Sequence, residues 1–203
     1  MKQGDVAASK SAYEESLRLH EEAGQKSATT FPLCGLGELL LYSGDLTGAR
    51  QRFEKSEAIA HETDEKPLLP AALSGMGEVF LQQGQFSDAR QVYEQALKID
   101  KDFGYRAEAA EMLLGLAQVK VAEGHPAEAE SSILEALKEF RAGRLRDDEI
   151  HMLVSRVVSM GNCFGYPSFP ASRPLPERRS KCTKISRTFS ALSSNRQPVL
   201  RES

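Results

Sequence analysis

Leu41–Ile59 reads LYSGDLTGARQRFEKSEAI, and Leu81–Ile99 reads LQQGQFSDARQVYEQALKI. The second stretch is the first displaced by forty residues, with the Gly, the Ala-Arg-Gln run and the spacing of large residues kept. A fixed displacement of this kind marks a repeat architecture and sets the register for everything around it.

Extended outward, the register captures Gly4, Gly44, Gly84 and Gly124. Five residues on stand the small Ser9, Ala49, Ala89 and Ala129. Then come the large Tyr13, Phe53, Tyr93 and Ile133, and the small Ser16, Ser56, Ala96 and Ala136. Ahead of the glycine lie Leu33, Leu73 and Leu113, then Leu36, Met76 and Leu116, then the small Gly37, Gly77 and Ala117. Leu40 and Phe80 follow, with Lys120 as the exception in that column.

Both halves of the unit have helical spacing. Leu33, Leu36 and Leu40 stand at i, i+3, i+7, and Ala49, Phe53 and Ser56 at i, i+4, i+7. Each set lies on one helix face. The glycine between them suits a helix C-terminus that needs a left-handed residue. The next column, Asp5, Asp45, Gln85 and His125, falls where a second helix needs its cap, a position Asp fills well. Pro126 fits a first helical turn, where its missing N–H costs nothing. The predicted unit is a helical hairpin: helix A, a glycine turn, helix B. A single hairpin leaves apolar faces open, and stacking several buries a continuous core.

This order of large and small residues resembles the tetratricopeptide repeat (TPR), in its long form of about forty residues per unit against the usual 34 or so. The matching residues are Leu33, Leu36-Gly37, Leu40, Ala49, Phe53 and Ser56, and their counterparts one and two repeats on. The family's helix-ending proline is missing; His61, Lys101 and Arg141 stand near its place. The resemblance implies an all-α solenoid of stacked antiparallel hairpins. Residues 1–154 would hold a partial first unit with only helix B, three full units and the start of a further helix in LRDDEIHMLVSRVV. Pro70 reads as a first-turn proline, and Pro32 as either a kink or the true start of its helix.

Residues 155–203 are rich in Pro, Ser and Arg, show no helical stripe and read as a disordered tail. The loss of period there comes with a change of charge. Residues 1–154 hold 17 Lys/Arg against 27 Asp/Glu, and residues 155–203 hold 9 against 2. The abrupt change prompts the expectation of an incomplete chain, or of a C-terminus read in an altered frame.

Of the 203 residues, 40% are hydrophobic, enough to bury a core. No apolar run has membrane-spanning length, and MKQGDVAASK lacks the apolar centre of a signal peptide, so a cytoplasmic protein is expected. Cys34, Cys163 and Cys182 form no CxxC pair and point to neither a zinc site nor a disulfide framework.

Catalytic chemistry needs a constellation, and none is spaced here. His20, His61, His125 and His151 fall in different units without metal spacing. GLGELLLYSG (35–44) is glycine-rich, but its glycines occupy small helical columns rather than a phosphate loop after a strand. Asp147, Asp148 and Glu149 suit the first turn of the last helix. The expectation is no enzyme, no metal and no cofactor.

What remains is a surface. In TPR arrays the helix A faces line a concave groove for a partner's peptide or helix. Carried onto this chain, the resemblance implies groove residues Cys34, Glu38, Leu41 and Tyr42 in one unit, Ser74, Glu78, Leu81 and Gln82 in the next, and Leu114, Gln118 and Val121 in the third. Glu38 and Glu78 share a column, so the expected partner is a protein or peptide segment carrying Lys or Arg. The Lys, Arg and Asn clamp that chaperone-binding TPR domains use is missing from Cys34, Gly35, Glu38, Ser74, Gly75 and Glu78. The basic tail invites nucleic acid or an anionic membrane on charge alone. Its Phe164, Tyr166, Phe169 and Phe189 form no stacking platform, so neither is the expected partner. Phrases such as GQFSDARQVYEQALKI also resemble TPR arrays of bacterial serine/threonine kinases and transcription regulators. That likeness implies an alternative role as the regulatory region of a larger signalling protein.

Overall fold

A computed structural model describes residues 3–142, which form seven α-helices and no strand. They are α1 (Gln3–Glu22), α2 (Thr30–Ser43), α3 (Leu46–Glu62), α4 (Leu69–Gln82), α5 (Phe86–Phe103), α6 (Arg106–Ala122) and α7 (Pro126–Ala142). Single 3₁₀ turns, Ser27–Thr29 and Lys66–Leu68, lead into α2 and α4. Each helix packs on the next, so α2/α3, α4/α5 and α6/α7 are successive hairpins of one all-α solenoid. Gly143–Val154, with the expected start of a further helix, and the tail at 155–203 lie outside the described residues.

The turns explain the period. Gly44, Gly84 and Gly124 have φ of 83°, 75° and 89°, the left-handed region where a side chain is strained. The residue after each glycine donates its N–H back across the helix end: Asp45 to Leu40 O (2.9 Å), Gln85 to Phe80 O (2.9 Å) and His125 to Lys120 O (2.8 Å). This closure satisfies carbonyls that a helix end leaves open. The turns from helix B to helix A close the same way, through Gly24, Asp64 and Gly104, with φ of 67°, 53° and 76°. That second left-handed column ends α1, α3 and α5 without the proline of the shorter repeat.

The helix starts follow the expectations in part. Asp45 caps α3 as expected, accepting from the Gly48 N–H at 2.9 Å, but the Gln85 side chain makes no cap bond. Gly4 and Asp5 lie inside α1 rather than in a turn before it. Pro32 and Pro70 sit in the first turns of α2 and α4, where no i−4 carbonyl is opposed, so neither kinks its helix.

The columns form the core. Leu33, Leu73 and Leu113 are buried, as are Leu36, Met76 and Leu116, and Ala49, Ala89 and Ala129. Phe53 and Tyr93 are the knobs. A Cβ placed on Gly37 would lie 2.6 Å from the Phe53 ring, and one on Gly77 2.6 Å from the Tyr93 ring. Each ring also presses on the helix A of the following unit, Phe53 against Gly75 and Tyr93 against Gly115. A second glycine column (Gly35, Gly75, Gly115) thus meets the aromatic of the preceding unit, Gly35 receiving Tyr13. Full burial of one such ring stabilises by about 1.5–3 kcal/mol. The Lys120 exception is satisfied locally, its Nζ donating to Ser132 Oγ at 2.9 Å. On α1 the same columns are only half-covered: Ser9, Tyr13 and Ser16 keep partial exposure and Leu19 is 50% exposed.

Candidate functional site

The helix A elements α2, α4 and α6 stand side by side: α2 meets α4 and α4 meets α6 directly. The B helices lie on the other side, bridged along the array by long ion pairs such as Lys55–Glu21 (3.2 Å) and Lys101–Glu135 (3.1 Å). Close approach on the A side places α2, α4 and α6 on the inner side of the curve. Their solvent-facing stripes are the candidate surface.

The structure divides the eleven expected groove residues. Glu38, Tyr42 and Gln82 are exposed, and Leu41, Ser74, Glu78 and Val121 are partly so. Cys34, Leu81, Leu114 and Gln118 are buried and do not line an open surface. The reason is geometric. One flank of each helix A faces a neighbouring helix, so a stripe spanning positions 34, 38, 41 and 42 is wider than the face left open. Cys34 packs in a cluster with Ala72 and Met76 of α4, Leu81 with Met112 and Leu116 of α6, and Leu114 with Ile133 of α7.

The open stripe also holds a residue the groove assignment missed. Phe31 is 72% exposed and stands edge-on to Tyr13, ring centroids 6.0 Å apart. Phe31, Glu38 and Tyr42 fall at i, i+7 and i+11, one line along α2. That spacing was the available signal. The next helix continues the line with exposed Ala71, half-buried Glu78 and exposed Gln82, and α6 adds exposed Glu111.

The helices of this face are rich in carboxylates. Neither α2 nor α4 contains a lysine or arginine. On α6, Arg106 pairs with Glu139 (3.7 Å) and Lys120 is held by Ser132. Glu38, Glu78, Glu108 and Glu111 therefore dominate, with Glu78 accepting from Gln82 Nε2 at 3.0 Å. The surface can hold a cation beside an aromatic ring, but it assembles no nucleophile and base. The Cys34 thiol is no nucleophile: burial pushes its pKa up, and although Ser56 Oγ at 3.3 Å opposes this, the Glu38 carboxylate adds to the rise. Among the described residues no three His, Cys, Asp or Glu side chains gather as a metal site, and no helix is long and apolar enough to cross a membrane.

Comparison with known proteins agrees with the architecture. A profile described as the MalT-like TPR region matches residues 1–160. The crystal structure of BtubC (BKLC) from P. vanneervenii is similar in fold, with a TM-score of 0.55 and 17% sequence identity over 98% of this chain and 94% of that one. No curated protein matches the sequence. A TPR-type helical array serves as a protein-interaction or regulatory region. With the family profile spanning residues 1–160 and the hairpin stack in register beneath it, the chain belongs to the MalT-like TPR region family.

Proposed function

We propose that this chain is a non-catalytic, cytoplasmic interaction array whose inner helix A face binds a protein segment that carries Lys or Arg among apolar residues. One observation carries the reading: Glu38 and Glu78 repeat in one column beside exposed Phe31 and Tyr42, on two helices with no basic residue. A cation resting on an aromatic face and against a carboxylate gains from both. Leu41 and Val121 supply apolar contact at the edge of the stripe, and Ser74 and Gln82 supply hydrogen-bonding groups.

The test is a peptide array probed with the full chain and with the Glu38→Lys, Glu78→Lys double variant. The variant is expected to keep its helicity by circular dichroism and lose capture of basic peptides. Rim charges act mainly through association rate and salt sensitivity, so wild-type capture should weaken steeply with salt. An unchanged ligand profile in the variant would remove the acidic face from the mechanism. The match to MalT-like repeats supports a second reading, in which the same face regulates a larger signalling protein, a kinase or a transcription regulator.

A further inference from the structure

We infer that the seam between α5 and α6 is a pH-gated joint: neutral Asp100 holds it shut, and ionised Asp100 releases the α6/α7 hairpin from the rest of the array. The joint goes beyond the proposed binding and does not depend on it.

The place of Asp100 in the fold carries the inference. With Tyr93 and Ala96 it completes an i, i+3, i+7 stripe on the core face of α5. Ala60 and Phe140 fill the same column in the neighbouring units, and both are buried. Asp100 is 0% exposed, yet neither carboxylate oxygen has a hydrogen-bond partner. It stands in the last turn of α5, and only Gly104 and Tyr105 separate that helix from α6. The Tyr105 N–H donates to the Asp100 carbonyl at 2.8 Å, so the junction folds back on this residue.

The charges around the seam leave the carboxylate unanswered. The turn before α4 and α4 itself bring Glu65, Lys66 and Glu78 toward α5, and α6 brings Arg106, Glu108, Glu111 and Lys120. Arg106 is held by Glu139 of α7 (3.7 Å), and Lys120 by Ser132 (2.9 Å). On α5 itself, Lys101 is held by Glu135 (3.1 Å) and Arg90 by Glu123. Burial, then the carboxylates of Glu108 and Glu111, push the pKa of Asp100 up to about 7.

Ionisation therefore puts a charge without a partner into an apolar seam, a costly arrangement that parting the seam relieves by admitting water. A repeat array can part in this way because each hairpin contacts only its neighbours. The α6/α7 hairpin keeps a core of its own, where Leu113 and Leu114 meet Ile133 and Phe140, so it can leave as a unit. Released, a single hairpin opens more readily than the array, and its amides exchange with solvent. The closed seam is fully stabilised below about pH 4 and loses that support as pH rises through about 7. A carboxyl that titrates near 7 in the closed seam and near 3.8 in the open one makes release about tenfold more frequent at pH 8 than at pH 6.

The experiment follows amide hydrogen exchange helix by helix in the full chain at pH 6 and pH 8, each rate divided by the intrinsic rate at that pH. Protection of α6 and α7 is expected to fall about tenfold from pH 6 to pH 8, while α2 and α3 change little. Asp100→Leu, intermediate in size between the Ala60 and Phe140 counterparts, should abolish the fall, and so should Asp100→Asn, which keeps the shape. Glu108→Gln with Glu111→Gln should shrink it, since the Asp100 carboxyl then titrates lower. Constant protection of α6 and α7 in the native chain would overturn the joint. An equal fall in α2 and α3 would overturn it too, reducing Asp100 to a contributor to global stability. A fall that persists in either Asp100 variant would assign the effect to another group and overturn it as well.

Discussion

Gly77→Ala is the sharpest probe of the packing. Helix propensity alone favours the change, since Ala in a helix interior is better than Gly by about 1 kcal/mol. The structure opposes it. The new Cβ would lie 2.6, 2.7 and 2.8 Å from three atoms of the Tyr93 ring, about 1 Å short of an ordinary carbon contact. The ring has no free direction, because Tyr93 is 3% exposed and its other neighbour, Gly115, is equally close. Overpacking of this kind costs about 1–3 kcal/mol, so the expected net loss is about 0–2 kcal/mol after the propensity gain. The array contains its own remedy: where the helix A position is Ala117, the knob is Ile133. Gly77→Ala should therefore be neutral or stabilising in a Tyr93→Ile background. Gly35→Ala meets Tyr13 at least as closely, but Tyr13 is half-exposed and can swing aside, so it should cost less than Gly77→Ala. Urea unfolding followed by far-ultraviolet circular dichroism measures all of these. Equal losses for Gly35→Ala and Gly77→Ala, or no rescue by Tyr93→Ile, would refute the wedge argument.

Two further outcomes follow from single residues. Asp100 is fully buried with no hydrogen-bond partner for either carboxylate oxygen, and burial, helped by Glu108 and Glu111 on α6, pushes its pKa up to about 7. Its contribution is then fully present below the unfolded-state value near 4 and is lost as pH rises through about 7. Thermal melts from pH 5 to pH 8 should show the native chain losing ground to Asp100→Leu as pH rises, and parallel curves would contradict this. Asp64 holds φ of 53° where its counterparts are Gly24 and Gly104. Asp64→Gly relieves that strain against the greater unfolded-state freedom of glycine, so a gain of about 0.5 kcal/mol in urea is expected, and a loss would show that the carboxylate itself is needed.

The repeat made most of the fold legible, because a hairpin's internal contacts recur at one spacing. The columns at Leu33, Leu36, Ala49 and Phe53 are internal to a unit, and each is buried. Contacts between units were less legible. Gly35, Gly75 and Gly115 repeat as faithfully as Gly37 and Gly77, yet their reason lies in the aromatic of the preceding hairpin, which no single unit displays. The surface was misjudged for the same cause. Cys34, Leu81, Leu114 and Gln118 share a helix with open residues, and only the position of the neighbouring helix decides that they are covered. Asp100 shows the limit of column reasoning: its counterparts in the other full units are Ala60 and Phe140, both apolar and buried, and nothing about the period calls for a carboxylate there.

Phe53 and Tyr93 each touch two successive helix A backbones at glycine. The distance between α2 and α4, and between α4 and α6, is thus gauged by the breadth of one aromatic ring with no side chain on either side of it. Those rings never reach the inner surface, yet they set the pitch at which Glu38 and Glu78 are presented. A change of knob from aromatic to aliphatic, as the array itself makes at Ile133, resets the local curvature and with it the spacing of charges a ligand must match. Ligand selectivity in such an array can therefore drift through substitutions in the core, without any change to the residues a partner meets.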